Sequence, residues 1–285
     1  MPSIKEVKNR IGSVKSTQQL TKAMKMVAAA KLKKAQDKVL QLRPYSKKLN
    51  EILANLSDSV NNDLFSQRDD IKNVLIVIIS SDKGLCGSFN SSLIKEFNSV
   101  CSENSNPRNT TVLPIGKKAF DFFKKSNFEK IVDYWDTLNV FNYEKSSEIC
   151  DFIISSFIEH KFDKVSIIYN EFKNVAVQKT VSENFLPVIQ GNQIENTVNN
   201  NYIFEPDKNK IISDLIPQTL KTQFLKAVLE SNASEQGSRM TAMSQATDNA
   251  GELLKELKLT YNRTRQAAIT KEILEIVGGA EALNN

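Results

Sequence analysis

The stretch SSDKGLCGSFNSSL, residues 80–93, follows an apolar run and opens a helical pattern. A glycine-bearing turn from strand to helix is where open α/β folds hold phosphates, because the first amides of the helix are unpaired there. The glycines are Gly84 and Gly87, spaced GxxG, which matches neither GxGxxG nor GxxxxGK[ST]. Nucleotide binding therefore competes with a plainer reading. In that reading glycine supplies backbone freedom to a tight turn, and Ser88 or Asn90 caps the helix. Cys86, beside Lys83, has the surroundings of an activated thiol, but no acid or base lies near it in sequence, so a packed, reduced thiol is the competing reading. His160 is the only histidine, which argues against His-ligated metal sites and His-based nucleophilic triads. Placed just before KFDKV, it reads as a cation at a helix C-terminus.

Two further groups could meet a partner. In YNRTRQAAITKEILEIVGGAEAL, residues 261–283, Arg265, Gln266, Thr270 and Glu272 fall close together on a helix. Gln266 and Thr270 share a side at i, i+4, fit either for solvent or for a partner's loop. LTKAMKMVAAAKLKKAQ, residues 20–36, is a lysine-rich helix without a wide apolar stripe. Nucleic acid, an anionic membrane surface, or solvent around a coiled coil would each suit it. Tyr45 is the only aromatic up to position 60, so stacking platforms and interfacial anchors are missing.

The elements that position these residues form three segments, 1–60, 72–205 and 206–285. In the first, apolar residues repeat every seven positions. One register runs Ile4, Ile11, Gln18, Lys25, Leu32, Val39, Ser46, Leu53, Val60, and the other Val7, Val14, Thr21, Ala28, Ala35, Leu42, Leu49, Leu56. Thirteen of the 17 positions are apolar, which predicts a coiled-coil helix. At 1.5 Å per residue it would be roughly 80 Å long. Gln18, Thr21 and Lys25 interrupt the pattern together, and Pro44 should kink or break the helix.

The second segment alternates strand and helix. NVLIVIIS (73–80), TTVLPIG (110–116), EKIVDYW (129–135), DKVSIIYNEF (163–172) and VAVQKTVSENFLPV (175–188) read as strands, the last two as a hairpin. SSLIKEFNSV, KKAFDFFKKS and EKSSEICDFIISSFIEH read as helices, so the fold class is α/β with a mainly parallel sheet. GNQIENTVNNN (191–201) is a polar loop. In the third segment PDKNKIISDLI reads as a short separate helix, Pro217 as the first residue of the next, and Gly278-Gly279 as an interruption near its end. Residues 233–251 are mostly Ala, Ser, Thr and Gly, which let helix axes approach closely. The economical arrangement pairs the two terminal helices antiparallel and projects them from the α/β body.

The charge supports a partner for the first helix. Residues 1–50 carry eleven lysines and two arginines against Glu6 and Asp37, although the chain's net charge is only +5. Gly is scarce, 9 of 285, which favours long helices over turns. No run of 18 apolar residues is present and the start of the chain resembles no signal or transit peptide, so a cytoplasmic protein is expected. Three cysteines without CxxC spacing fit a reducing compartment.

KNRIGSVKSTQQLTKAMKMVAAAKLKKAQ near the start, SSDKGLCGSFN after the first strand, and SEQGSRMTAM, ATDNAGELL and LTYNRTRQAAITKEILEIVGGAEAL towards the end resemble the gamma subunits of bacterial F-type ATP synthases. That resemblance implies a central rotor shaft without catalytic, cofactor or metal sites. It implies a long antiparallel coiled coil of the terminal helices plus a Rossmann-like α/β domain. Its partners would be the alpha and beta subunits of the catalytic ring, the epsilon subunit and the c-ring, with no nucleic acid. Its place would be peripheral, on the cytoplasmic face of the bacterial inner membrane. Met24 and Lys25 would face acidic lever loops of the beta subunits. Arg239, Arg265, Gln266, Thr270 and Glu272 would contact the catalytic ring. From the residues alone, a nucleotide-dependent α/β enzyme and a basic coiled-coil binder of nucleic acid stay open as alternatives.

Overall fold

The computed structural model describes residues 3–57, 65, 68, 71–103, 109–175, 177–188 and 208–283. The polar loop expected at 191–201 lies outside them. Contacts divide the chain into two compact units, Ala29–Arg239 and the pair Met1–Ala28 with Met240–Asn285.

The first helix, α1 (Ile4–Ser57), is uninterrupted, as is the last, α5 (Lys208–Leu283). Pro44 does not break α1. A proline removes one backbone bond, and here its ring lies on the exposed side. Pro217 lies inside α5 rather than starting it, and 208–216 continue the same helix. Ile216, Leu220 and Phe224 bury one face across that proline, which offsets the bond it removes. The glycine pair 278–279 likewise stays helical.

In the pair of terminal segments, Val7, Thr21 and Ala28 are buried and Ile4, Ile11, Val14, Gln18 and Lys25 half-buried, so the seven-residue registers trace the seam residue by residue. Their partners on α5 recur with the same period. Met243 and Leu257 are buried, and Thr247, Ala250, Leu254, Tyr261, Thr264 and Ala268 half-buried. The helices run antiparallel, since Lys25 meets Ser244 while Gln18, earlier in α1, meets Thr247, later in α5. Small residues set the spacing: a Cβ on Gly251 would stand 3.1 Å from the Gln18 amide nitrogen.

The other unit is built on a five-stranded sheet of order β3-β2-β1-β4-β5. Its strands are β1 (Val74–Ile79), β2 (Thr110–Ile115), β3 (Glu129–Lys130), β4 (Lys164–Phe172) and β5 (Gln178–Leu186). The first four are parallel, and β4–β5 is an antiparallel hairpin. A parallel sheet needs cover on both faces, and alternation along β1 supplies it. Leu75, Val77 and Ile79 pack with α4 (Tyr143–Ile158) and with Leu220, Phe224 and Val228 of α5. Val74, Ile76 and Ile78 pack with α2 (Phe89–Glu103) and α3 (Lys117–Phe123). Each such side chain fully buried contributes about 1.5–3 kcal/mol. The strand expected over 129–135 shrinks to two residues, because β3 pairs with β2 alone at the sheet edge.

Candidate partner-binding surfaces

The turn after β1 spends its polar atoms inside the fold. It binds the start of α3: Asp82 Oδ1 accepts the Lys117 amide (3.1 Å), the Ser81 carbonyl accepts that of Lys118 (3.0 Å) and Ser80 Oγ accepts that of Ala119 (2.9 Å). These amides would otherwise lack partners. Gly116, with φ 99°, permits this approach, since a Cβ there would lie 2.5 Å from the Ser80 carbonyl oxygen. Asn90 does not cap α2. Its side-chain oxygen accepts the Ser81 amide (3.1 Å), and its NH₂ reaches Ser81 Oγ (2.8 Å) and Cys86 Sγ (3.2 Å). Cys86 is buried among these groups, a packed thiol. The turn thus leaves little free for a phosphate. His160 follows α4 in a left-handed conformation, φ 58°, its amide bonded to the Phe157 carbonyl at 3.1 Å.

From the other side α5 clamps the same turn. Ser238 Oγ donates to the Cys86 carbonyl at 2.6 Å and Ser231 Oγ to that of Ile79 at 3.3 Å. Arg239 donates to the carbonyls of Lys83 (3.0 Å) and Gly84 (3.4 Å) and pairs with Glu235 at 2.6 Å. Arg239 is only 9% exposed, so its guanidinium is committed to its own chain. Burial pushes the Glu235 carboxyl up despite the neighbouring Arg239. The serines of this clamp were not singled out from sequence. Only the SEQGSR run, polar where a core helix should be apolar, hinted at Ser238.

Beside the clamp lies a cleft of about 570 Å³ lined by Lys31, Lys34 and Lys38 of α1, Asp82 and Lys83 of the turn, and Glu235 and Arg239 of α5. The three α1 lysines are exposed, giving the cleft a positive rim.

In the paired terminal segments, Met24 and Lys25 are half-buried. The Lys25 ammonium donates to Ser244 Oγ at 2.9 Å, so it turns towards α5. Gln18 and Thr21 do the same: the Gln18 amide reaches the Thr247 carbonyl (3.4 Å), and the Thr21 and Thr247 hydroxyls lie 2.8 Å apart. Arg265, Gln266, Thr270 and Glu272 are all exposed. Thr270 Oγ1 donates to the Gln266 carbonyl at 2.9 Å. Beyond Ala268 every described side chain to Gly279 is exposed, including Ile269 (48%), Ile273 (54%) and Ile276 (72%). Three isoleucines at 4,3 spacing thus form an apolar stripe one residue out of phase with the seam, with nothing described against them. An apolar stripe of this kind marks an interaction surface.

Among the described residues no three His, Cys, Asp or Glu side chains converge to hold a metal ion. No helix among them is long and apolar enough to cross a membrane.

A family model described as ATP synthase matches residues 3–283. The chain is 50% identical over 289 residues to the ATP synthase gamma chain of Amoebophilus asiaticus, and 48% over 296 residues to that of Cytophaga hutchinsonii, in both cases over the full length of each chain. Among solved structures it is similar to a chain of the central stalk and c-ring of the Tetrahymena thermophila mitochondrial ATP synthase. That match has a TM-score of 0.58 and 26% identity, covering 80% of this chain and 99% of that one. A chain from the OSCP/F1/c-ring structure of the Euglena gracilis mitochondrial enzyme shares the fold, with a TM-score of 0.70 at 22% identity over 98% and 94% of the two chains.

Proposed function

Because this chain belongs to the ATP synthase gamma chain family, we propose that it is the central rotor shaft of an F-type ATP synthase. It carries torque between a proton-driven c-ring and the catalytic ring of alpha and beta subunits. It performs no bond chemistry itself. Its partners are the alpha, beta and epsilon subunits and the c-ring. It sits peripherally at the cytoplasmic face of the bacterial inner membrane, held there by the complex.

The observation that carries this reading is the end of α5. Its last turns expose Ile269, Ile273 and Ile276 next to Arg265, Gln266, Thr270 and Glu272. This is a helix end made to be enclosed by another protein. A shaft must turn inside its bearing, so no single angle can be held too tightly. Exposed polar and charged contacts suit that need, at about 0–1 kcal/mol per ion pair. The contact residues we assign are Arg265, Gln266, Thr270 and Glu272 at this end, and Met24 and Lys25 on α1. Arg239 contributes indirectly, by fixing the turn that displays Lys83.

The test is affinity purification of the tagged full chain from its own cells. Co-purification of alpha and beta subunits, at one copy of this chain per three beta, is expected. Recovery without them would overturn the reading.

A further inference from the structure

Helix α5 carries one carboxylic acid into the interior of the α/β unit. Glu230 is 3% exposed, and its Oε2 has no hydrogen-bond partner. Its Oε1 lies 4.0 Å from the Lys226 ammonium one turn earlier, at the limit of an ion pair. The hairpin side adds negative charge: Glu171 and Tyr169 on β4 and Glu183 on β5 all interact with Glu230 electrostatically. Tyr169 donates its hydroxyl to Glu183 Oε1 at 2.8 Å, so that donor is taken. Glu171 is partly neutralised by Lys173 at 2.9 Å, and Lys179 stands opposite it across the hairpin. On the α1 side the Arg43 guanidinium acts on Glu230.

An ionised carboxylate buried without a donor is costly, and two neighbouring carboxylates make it costlier. Lys226, at 36% exposure and 4.0 Å, offsets little of this. The remaining remedy is a proton on Glu230. A protonated carboxyl is neutral, so the repulsion from the two hairpin carboxylates is gone. We propose that Glu230 is a proton-operated latch between α5 and the β4–β5 hairpin: protonated, it seats the helix on the hairpin, and ionised, it loosens that contact. The latch belongs to this chain and does not depend on the rotor reading.

Burial raises the proton affinity of Glu230 above the ordinary value of 4.5 for a glutamate. The folded state therefore binds more protons than the unfolded one above that pH. Its contribution is complete below pH 4.5 and is lost as pH rises through the folded-state value.

The experiment is urea unfolding of the full chain across a pH series from 5 to 9, for the wild type and Glu230→Gln, with isotope-edited infrared spectra of the carboxyl groups. The glutamine keeps the shape and removes the ionisation. Its unfolding midpoint should match the wild type at the acid end and exceed it at the alkaline end. The wild-type spectrum should hold a protonated-carboxyl band that persists to higher pH than those of the exposed glutamates and that Glu230→Gln lacks. Equal pH slopes in the two proteins would overturn the latch. So would wild-type spectra in which no carboxyl holds its proton to higher pH than the exposed glutamates, a reading that decides the matter even if the variant does not fold.

Discussion

Thr21 of α1 and Thr247 of α5 bring their hydroxyls to 2.8 Å inside a seam that is otherwise mostly apolar. Beside them Gln18 reaches the Thr247 carbonyl and Lys25 reaches Ser244. The polar residues fix which turn of one helix faces which turn of the other, because a one-turn slip would separate all of these partners. Such groups specify register at a cost in stability.

Changing one threonine alone should therefore be worse than changing both. Thr21→Val removes the cross-seam partner of the Thr247 hydroxyl, which keeps the Met243 carbonyl at 2.7 Å, and should cost about 0.5–1.5 kcal/mol. Thr21→Val with Thr247→Val removes both and fills the seam with methyl groups, so it should be near neutral or stabilising. Thermal unfolding of the two singles and the double gives the coupling directly. Additive losses would remove the register role.

Arg239→Ala should destabilise the chain by about 3 kcal/mol, because it leaves Glu235 largely buried without its cation and frees the carbonyls of Lys83 and Gly84. Adding Glu235→Gln to Arg239→Ala should restore part of that loss, since the stranded charge is gone. Urea midpoints check both. An Arg239→Ala variant as stable as the wild type would show that the clamp does not hold the turn.

Much of this architecture was legible from patterns. The seven-residue register in α1 names the seam residues because helical period and burial obey one geometry. The apolar run 74–79 announces a strand covered on both faces. Pro44, Pro217 and Gly278-Gly279 misled. Local propensity argued for breaks there, and each costs a bond or some entropy that long helices can absorb. At the candidate surfaces, the heptad lapse marked Lys25, and only the family resemblance marked Arg239. Neither could give their direction. That depends on a carbonyl at residue 83 and a hydroxyl at residue 244, distant in sequence and brought near only by folding.

Asp163 links Arg68 to the start of β1. Burial raises its carboxyl, but hydrogen bonds from the Asn73 amide, the Arg68 guanidinium and the Lys72 amide, with the Arg68 charge, bring it below its ordinary 3.8. A lowered carboxylate stabilises above its unfolded value, and that contribution disappears as pH falls below 3.8 through the folded-state value. Asp163→Asn should thus lose about 1.5–3 kcal/mol at pH 7, as expected for hydrogen bonds to a charged group, and approach the wild type near pH 2. Unfolding free energies at several pH values check it. A constant gap down to the lowest pH would assign the effect to shape instead of charge.

The exposed end of α5 allows folding and coupling to be separated. Arg265 and Gln266 touch solvent in the isolated chain, so Arg265→Ala and Gln266→Ala should change unfolding free energy by no more than about 0.5 kcal/mol. On the contacts we propose, the same changes would remove charge-assisted or neutral hydrogen bonds to the surrounding ring in the assembled complex, worth about 0.5–3 kcal/mol each. ATP synthesis by complexes reassembled with the variants should then fall, by roughly tenfold where 1.4 kcal/mol is lost. Arg265→Lys is the informative control. It keeps the charge and loses the planar fork, so it should recover steering but not the full rate. If all three variants sustain wild-type synthesis, Arg265 and Gln266 are merely solvated, and the bearing contact rests on the isoleucines alone. If they unfold at lower urea than the wild type, the helix end is instead part of the chain's own packing.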